Sequence, residues 1–310
     1  MSSFQTEFIR HNKKILPGVI SNRFPQLRFA NGDLVYTIPD LDPGVRTVLK
    51  EDYTHVGESA IVAGDAQDIP LVDFRGGETE AKVLPIMAAY GYTQTQLEAA
   101  RYNGTPLTNR RAMGARRSID ELANRIAAYG SAVHGVTGLL NHPVVPQTNS
   151  SFDFFDSGTG VDDILDFLVG EISAVEDETD LTETVSDILL PPEIYNHLMG
   201  KRIDGTSTTL LTYLREALAG DGQTVTLRKV TEVSADRLAA NGVGVADKHR
   251  IVFYNRSDQL THERHVEVIR AMEIEGPING RYVQPLLHRV TGVLINYPQS
   301  LRYTDVPVSS

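Results

Sequence analysis

The stretch from Thr108 to Pro146, TNRRAMGARRSIDELANRIAAYG followed by SAVHGVTGLLNHPVVP, decides how the rest of the chain is arranged. Ala112, Ala115, Ile119, Leu122, Ile126 and Tyr129 recur at alternating spacings of three and four. On a helix these positions make one apolar stripe, so the spacing predicts a helix over 108–129. Thr108 is its expected N-cap and Gly130 its expected left-handed terminator. At about 1.5 Å rise per residue it would run roughly 33 Å, enough to cross a domain. Glu121 and Arg125 stand in the favourable order for an i,i+4 pair. Gly114 costs about 1 kcal/mol relative to alanine, so it is expected to mark a bend or a close contact.

Composition narrows the classes. The 310 residues are 41% hydrophobic, enough for a sizeable core and two or three subdomains. The net charge of −11 excludes a basic nucleic-acid wrapper and a binder of anionic membranes. No apolar run approaches the roughly 20 residues of a bilayer span, and MSSFQTEFIRHNKK lacks the apolar core of a secretory signal. With no cysteine there is neither a disulfide framework nor thiolate chemistry, which suits a reducing cytoplasm.

Upstream of the helix, residues 1–33 read as an arm. A short amphipathic piece with Phe4, Phe8 and Ile9 leads into proline- and glycine-spaced sequence with too little apolar content for its own core. Residues 34–92 read as β structure. Strands are expected at Leu34–Ile38, His55–Ala63, Ile69–Phe74 and Thr79–Ala89, the last two around a Gly76-Gly77 hairpin turn. Such a ribbon is marginal alone in water, so it is either a sheet edge or a hairpin that projects onto another subunit. Thr93 and Gln96 make a capping box for a short helix ending at Asn103-Gly104.

After Pro146 the texture changes. QTNSSFDFFDSGTG is a polar linker. Ile164, Leu165, Leu168, Ile172 and Val175 then form a helix face, with Asp162 and Asp163 at its positive end. Strands are expected at Val185–Leu190, Thr224–Val230 and Arg250–Tyr254. Helices are expected from Pro191-Pro192 through Leu198 and around Leu211, Leu214 and Leu218. From Arg264 to Tyr303 the pattern is β again, with Val266, Val268, Met272 and Ile274 alternating and a strand over Val290–Ile295.

No motif with a catalytic mechanism is present. Gly200-Lys201 lacks the remainder of a P-loop, and in GTGVDD at Gly158–Asp163 the two aspartates would repel a phosphate. His262 and His265 in THERH would share a face on a helix but not on a strand, and two surface or hydrogen-bonded histidines are expected. His134 beside Ser131 lacks the nucleophile-elbow pattern and reads as a turn residue. The acidic run Glu176–Glu183 lacks the order of a calcium loop and reads as solvated. Arg110, Arg111, Arg116 and Arg117 form the strongest basic cluster, but without interleaved aromatics they suit carboxylate pairing better than nucleic acid. No catalytic, cofactor or metal residue is expected.

The pieces together resemble a family. DYTHVGESAIVAGDAQDIPLVDFRGGETEAKVLPIMAAYGYTQTQLEAAR, ARRSIDELANRIAAYGSAVHGVTGLLNHPVVP, ILLPPEIYNHLMG through TLLTYLREAL, and EIEGPINGRYVQPLLHRVTGVLINYPQSLRYTD resemble, in that order, segments of tailed-phage major capsid proteins of the Hong Kong 97-type fold. The resemblance covers most of residues 45–305. It implies an α+β fold with an N-terminal arm (1–33) and an extended-loop hairpin (34–92). A peripheral domain (93–150 and 262–310) would carry the spine helix 108–129, with an axial α/β domain over 151–261.

The function this implies is assembly. Copies would form hexamers and pentamers of a shell around double-stranded DNA, bound without sequence specificity. The hairpin would lie on a neighbour, with a portal protein and a separate scaffolding or decoration protein as further partners. The protein would reside in the virion after assembly in the host cytoplasm, with no membrane involved. Arg110, Arg111, Arg116 and Arg117 are then candidates to meet Glu51, Asp52, Glu58, Asp65 and Asp68 of a neighbour's hairpin. Lys50 and Lys82 carry no local mark of cross-linking, and with about thirty residues ahead of the hairpin a fused scaffold of ordinary domain size is not expected unless cleavage has removed it. The nearest alternative is an encapsulin-like compartment shell. One of another class is a soluble enzyme with an acid/base cleft between its domains.

Overall fold

A computed structural model describes residues 25–59, 71–103, 107–203, 206–219, 224–256 and 261–308. The strands are β1 (Tyr36–Ile38), β2 (Thr47–Val56), β3 (Asp73–Thr93), β4 (Gln147–Asn149), β5 (Asp187–Leu190), β6 (Thr226–Lys229), β7 (Lys248–Tyr254), β8 (His262–His265), β9 (Arg270–Ala271), β10 (Glu275–Ile278), β11 (Arg281–Thr291), β12 (Leu294–Ile295) and β13 (Leu301–Pro307). The helices are α1 (Gln94–Asn103), α2 (Leu107–Tyr129), α3 (Val161–Glu178), α4 (Pro192–Gly200), α5 (Leu210–Ala217) and α6 (Ala235–Ala240). This is an α+β chain with three sheets among the described residues.

The expected long helix is α2. It begins at Leu107, which places Thr108 inside the first turn instead of at the cap. Its N-terminal half is partly exposed, whereas Ile119, Ala123, Asn124, Ile126, Ala127, Ala128 and Tyr129 are buried. Burial therefore spreads from one stripe to most of the circumference, because a core gathers on each side of the C-terminal half. Ile119, Ala123 and Ile126 pack on Ile86, Leu286 and Val290 of the long sheet. Ala127, Ala128 and Tyr129 pack on Phe29, Leu34, Leu139, Leu140 and on Val252 and Tyr254 of β7.

Gly130 closes α2 at φ 69°, as its left-handed role requires. The chain then doubles back so tightly that a Cβ on Gly138 would stand 2.5 Å from the Gly130 nitrogen. The return is held by Leu139 and Leu140 N–H groups donating to the Ala127 and Ala128 carbonyls, each at 2.9 Å. Glu121 takes its partner from the preceding turn, Arg117 at 2.8 Å, and not from Arg125. Gly114 makes no close contact, since a Cβ there would meet nothing within 4 Å.

The hairpin exists, but its turn is elsewhere. β2 pairs antiparallel with β3 from Thr47↔Lys82 to Val56↔Asp73, and β3 runs unbroken through Gly76 and Gly77. The connection therefore lies between Val56 and Asp73, and residues 60–70 fall outside the described set, as does the end of the expected His55–Ala63 strand. The glycines serve close approach. The Tyr53 ring lies 3.4 Å from where a Gly76 Cβ would be, and the Asp52 carboxylate lies 2.6 Å from that of Gly77. Glycine in a strand marks such sites as readily as it marks a turn.

Beyond residue 82, β3 continues beside β11, from Val83↔Thr291 to Thr93↔Arg281. The capping box forms as expected: the Gln96 N–H donates to Thr93 Oγ1 at 3.3 Å and the Thr93 N–H to Gln96 Oε1 at 3.4 Å. The expected alternation over 266–274 does not make one strand. Val266 is buried while Val268, Met272 and Ile274 are exposed, and only the short β9 lies between. The expected Val290–Ile295 strand is split at Gly292-Val293, because a Cβ on Gly292 would sit 2.5 Å from the Thr137 carbonyl of the turn it crosses.

The third sheet, ordered β4-β13-β7-β5-β6, draws on chain segments from both sides of residue 261. Its alternation divides two cores. Ile188, Leu190, Ile251, Phe253 and Val306 face α3, α4 and α5. Leu189, Val252, Tyr254, Leu301 and Tyr303 face the end of α2 and the segment around Phe29–Val35. On this second side Arg250 and Asp305 are directly opposite one another. Asn124 of α2 accepts the Phe29 and Ala30 N–H groups at 3.0 and 3.1 Å, tying the arm's exit to the helix.

Candidate subunit interface

The hairpin and the N-terminal half of α2 stand out because both are underpacked. Leu49 is 53% exposed, Tyr53 68%, Phe74 62% and Leu71 89%. No described part of the chain covers them, and exposed apolar groups gathered on one feature mark an interaction site. Tyr53 donates its hydroxyl to Glu51 at 2.8 Å, which pushes the phenol's pKa above its ordinary value. His55 and Phe74 rings touch at a centroid distance of 4.6 Å. At the hairpin base, Lys50 forms an ion pair with the buried Glu263 of β8.

The expected arginines divide. Arg111 donates to the Gly91 carbonyl and to Gln96 Oε1, and so clips α2 to the end of β3. Arg117 pairs with Glu121 and donates to the Pro25 carbonyl at 2.8 Å, where the arm meets the body. Arg116 is exposed. The side chain of Arg110 lies outside the described set. Among the carboxylates, Glu51, Asp52 and Glu58 are exposed on or just past β2, while Asp65 and Asp68 lie in the undescribed segment. Glu78, which the sequence reading did not single out, sits directly opposite Glu51. Its signal was hidden because the expected turn at Gly76-Gly77 put it on no strand.

The rest of the chemistry is structural. His262 is buried, with Nε2 3.3 Å from the Leu34 carbonyl, whereas His265 faces Asp40 with Nδ1 2.8 Å away. They lie on opposite sides of β8, as a strand requires. His134 sits in a 3₁₀ turn with Nδ1 2.8 Å from Ser131 Oγ. In GTGVDD the Gly160 N–H donates to Asp163 Oδ2 at 2.7 Å, so the helix's own carboxylate takes the place an anion would use. In the acidic run, Glu178 pairs with Arg302 at 2.7 Å and Glu183 accepts from Asn255 at 2.8 Å. Among the described residues no group of three or more His, Asp or Glu is placed to hold a metal, and no helix is long and apolar enough to cross a membrane.

The described chain thus combines an exposed two-stranded ribbon, a long helix packed on the continuation of that ribbon beside β11, and a five-stranded sheet between two cores. The chain belongs to the major capsid protein family, whose model matches residues 57–306. By sequence, no curated protein matches it. Among solved structures it is similar to the capsid of Myoviridae phage XM1, with TM-score 0.76, 14% identity and coverage of 96% of this chain and 97% of that one. It is also similar to the capsid of an empty GTA particle, with TM-score 0.66, 9% identity and 99% of each chain covered. A virus-like particle from Pyrococcus furiosus matches less well, with TM-score 0.50, 11% identity and coverage of 87% and 89%. At these identities the likeness is one of fold, while the family match carries the role. The protein is a structural component of the virion capsid, and it self-assembles into a shell.

Proposed function

We propose that copies of this chain close into hexamers and pentamers of an icosahedral shell that encloses phage double-stranded DNA. The observation that carries this reading is the hairpin: a ribbon whose Leu49, Tyr53, Val56 and Phe74 are more than half exposed gains its cover from another subunit. The arm (1–33), hairpin (34–92), peripheral domain (93–150 and 262–310) and axial domain (151–261) are the corresponding working parts. Arg110, Arg111, Arg116 and Arg117 are contact candidates on one side, with Glu51, Asp52, Glu58, Asp65 and Asp68 on the other.

The acidic balance of −11 suits a container wall that does not hold DNA tightly. A portal protein and a separate scaffolding or decoration protein complete the partners, and assembly takes place in the host cytoplasm. A phage shell is favoured over an encapsulin-like compartment by the higher similarity to the XM1 capsid than to the Pyrococcus particle. Size-exclusion chromatography and electron microscopy of the expressed protein test the reading. Closed megadalton particles are expected; a stable small oligomer under all assembly conditions would overturn it.

A further inference from the structure

Strand β8 carries a charged or titratable side chain at all four of its positions, His262, Glu263, Arg264 and His265. Three of them meet a partner in another part of the chain. His262 lies against the Leu34 carbonyl, Glu263 pairs with Lys50 of the hairpin, and His265 faces Asp40. Arg264 differs. Its side chain is buried, and among the described residues its guanidinium makes a single hydrogen bond, to the Ala123 carbonyl of α2, while Nε has no partner. The other two buried arginines, Arg250 and Arg289, each grip a carboxylate, Asp305 and Glu267. No carboxylate offsets Arg264: burial alone moves its pKa, down to about 10. At neutral pH the group is therefore still a cation. Its neighbour His288 adds no negative charge, since burial, and then Arg264 itself, hold that imidazole below its ordinary pKa.

We propose that Arg264 binds a small monovalent anion of the chloride class between β8 and α2, with Nε as a donor to it. One neutral hydrogen bond returns only a fraction of what it costs to take a cation out of water, so the site calls for a counter-charge. A water molecule would satisfy Nε and leave the charge in place. A divalent anion such as sulfate would bring a larger desolvation cost of its own, because that cost rises steeply with charge. The site also borders the apolar core to which Ala123 belongs, where a weakly hydrated halide is the least costly guest. Bound there, the anion fastens α2 to the strand that also holds the hairpin through Glu263 and Asp40 through His265. This inference concerns the single subunit and does not depend on the shell reading.

Urea unfolding of the unassembled wild-type subunit, in mixtures of sodium bromide and sodium gluconate at constant ionic strength, tests it. Once bromide exceeds its dissociation constant, each tenfold rise should raise the folded-to-unfolded ratio about tenfold. Arg264→Met lacks the charge and should show no such dependence, so any advantage it has over the wild type shrinks as bromide rises. In wild-type crystals grown with bromide, an anomalous peak is expected within hydrogen-bonding reach of Arg264 Nε; this measurement decides the matter if the variant does not fold. Wild-type stability indifferent to bromide, an equal bromide response from Arg264→Met, or crystals with only water at Nε and bromide confined to the surface would each overturn the proposal.

Discussion

The Arg250 guanidinium grips the Asp305 carboxylate across β7 and β13 with two parallel hydrogen bonds, both 2.8 Å, while both side chains are almost wholly buried. The third arm of the guanidinium donates to the Leu140 carbonyl at 2.6 Å, and its carbon lies 4.7 Å from the centre of the Tyr303 ring. One ion pair therefore ties the turn after the spine helix to the sheet that holds β7 and β13. Removing the carboxylate leaves a buried charge without compensation, at a cost of about 3–5 kcal/mol. Asp305→Ala should lower the urea midpoint of the unassembled subunit accordingly. A loss under about 1 kcal/mol would show that the pair is not the tie it resembles.

Arg264 presents the reverse case. It is 1% exposed and, among the described residues, makes one hydrogen bond, to the Ala123 carbonyl at 3.2 Å, and has no partner at Nε. Burial alone pushes its pKa down to about 10. A cation taken out of water with so little return is a cost to folding. Arg264→Met keeps the volume and removes the charge, so the subunit should gain about 1–3 kcal/mol in denaturant unfolding. A destabilised variant would mean that the single bond to α2 outweighs desolvation.

Gly114 in α2 and Gly138 in the turn that follows it should respond with opposite signs. At Gly114 a methyl group meets open space within a helix, and Gly114→Ala should stabilise by about 0.5–1 kcal/mol. At Gly138, just beyond the helix, the methyl group would press on the Gly130 nitrogen at 2.5 Å and on the Ala128 carbonyl. That backbone cannot yield without opening the turn, so Gly138→Ala should cost more than about 2 kcal/mol. Thermal unfolding of the two variants side by side checks both signs.

Acid should weaken the subunit from near neutrality. Burial lowers the pKa of His142, His197, His249 and His288. For His249, the Glu193 carboxylate 2.6 Å away offsets burial only in part, and Nδ1 accepts the Ala235 N–H at 3.1 Å. A histidine depressed in the folded state binds fewer protons than in the unfolded chain. Stability is thus intact above the unfolded pKa of about 6.5 and falls as pH drops below it toward the folded values. Unfolding midpoints compared at pH 7.5 and 5.5 should show this loss, and His249→Gln should reduce it. A flat profile over that range would contradict the burial account.

Sequence by itself determined the parts that obey a local period or a local cap. The stripe from Ala112 to Tyr129 required the spine helix, Gly130 its left-handed end, Thr93 and Gln96 the capping box, and Pro191-Pro192 the start of α4, because each is decided within a few residues. The ordered segments also carried the family resemblance. Tertiary structure decided everything that depends on residues far apart in the chain. Gly76-Gly77 allowed either a turn or close packing, and only the pairing with Asp52 and Tyr53 resolved it in favour of an unbroken strand. That register brought Glu78 opposite Glu51, which no local pattern could reveal. Likewise the Arg117–Glu121 pair, the Arg250–Asp305 tie and the lone Arg264 follow from which surfaces the packed elements press together. Local propensity names the elements, but burial and register choose the partner of each charge.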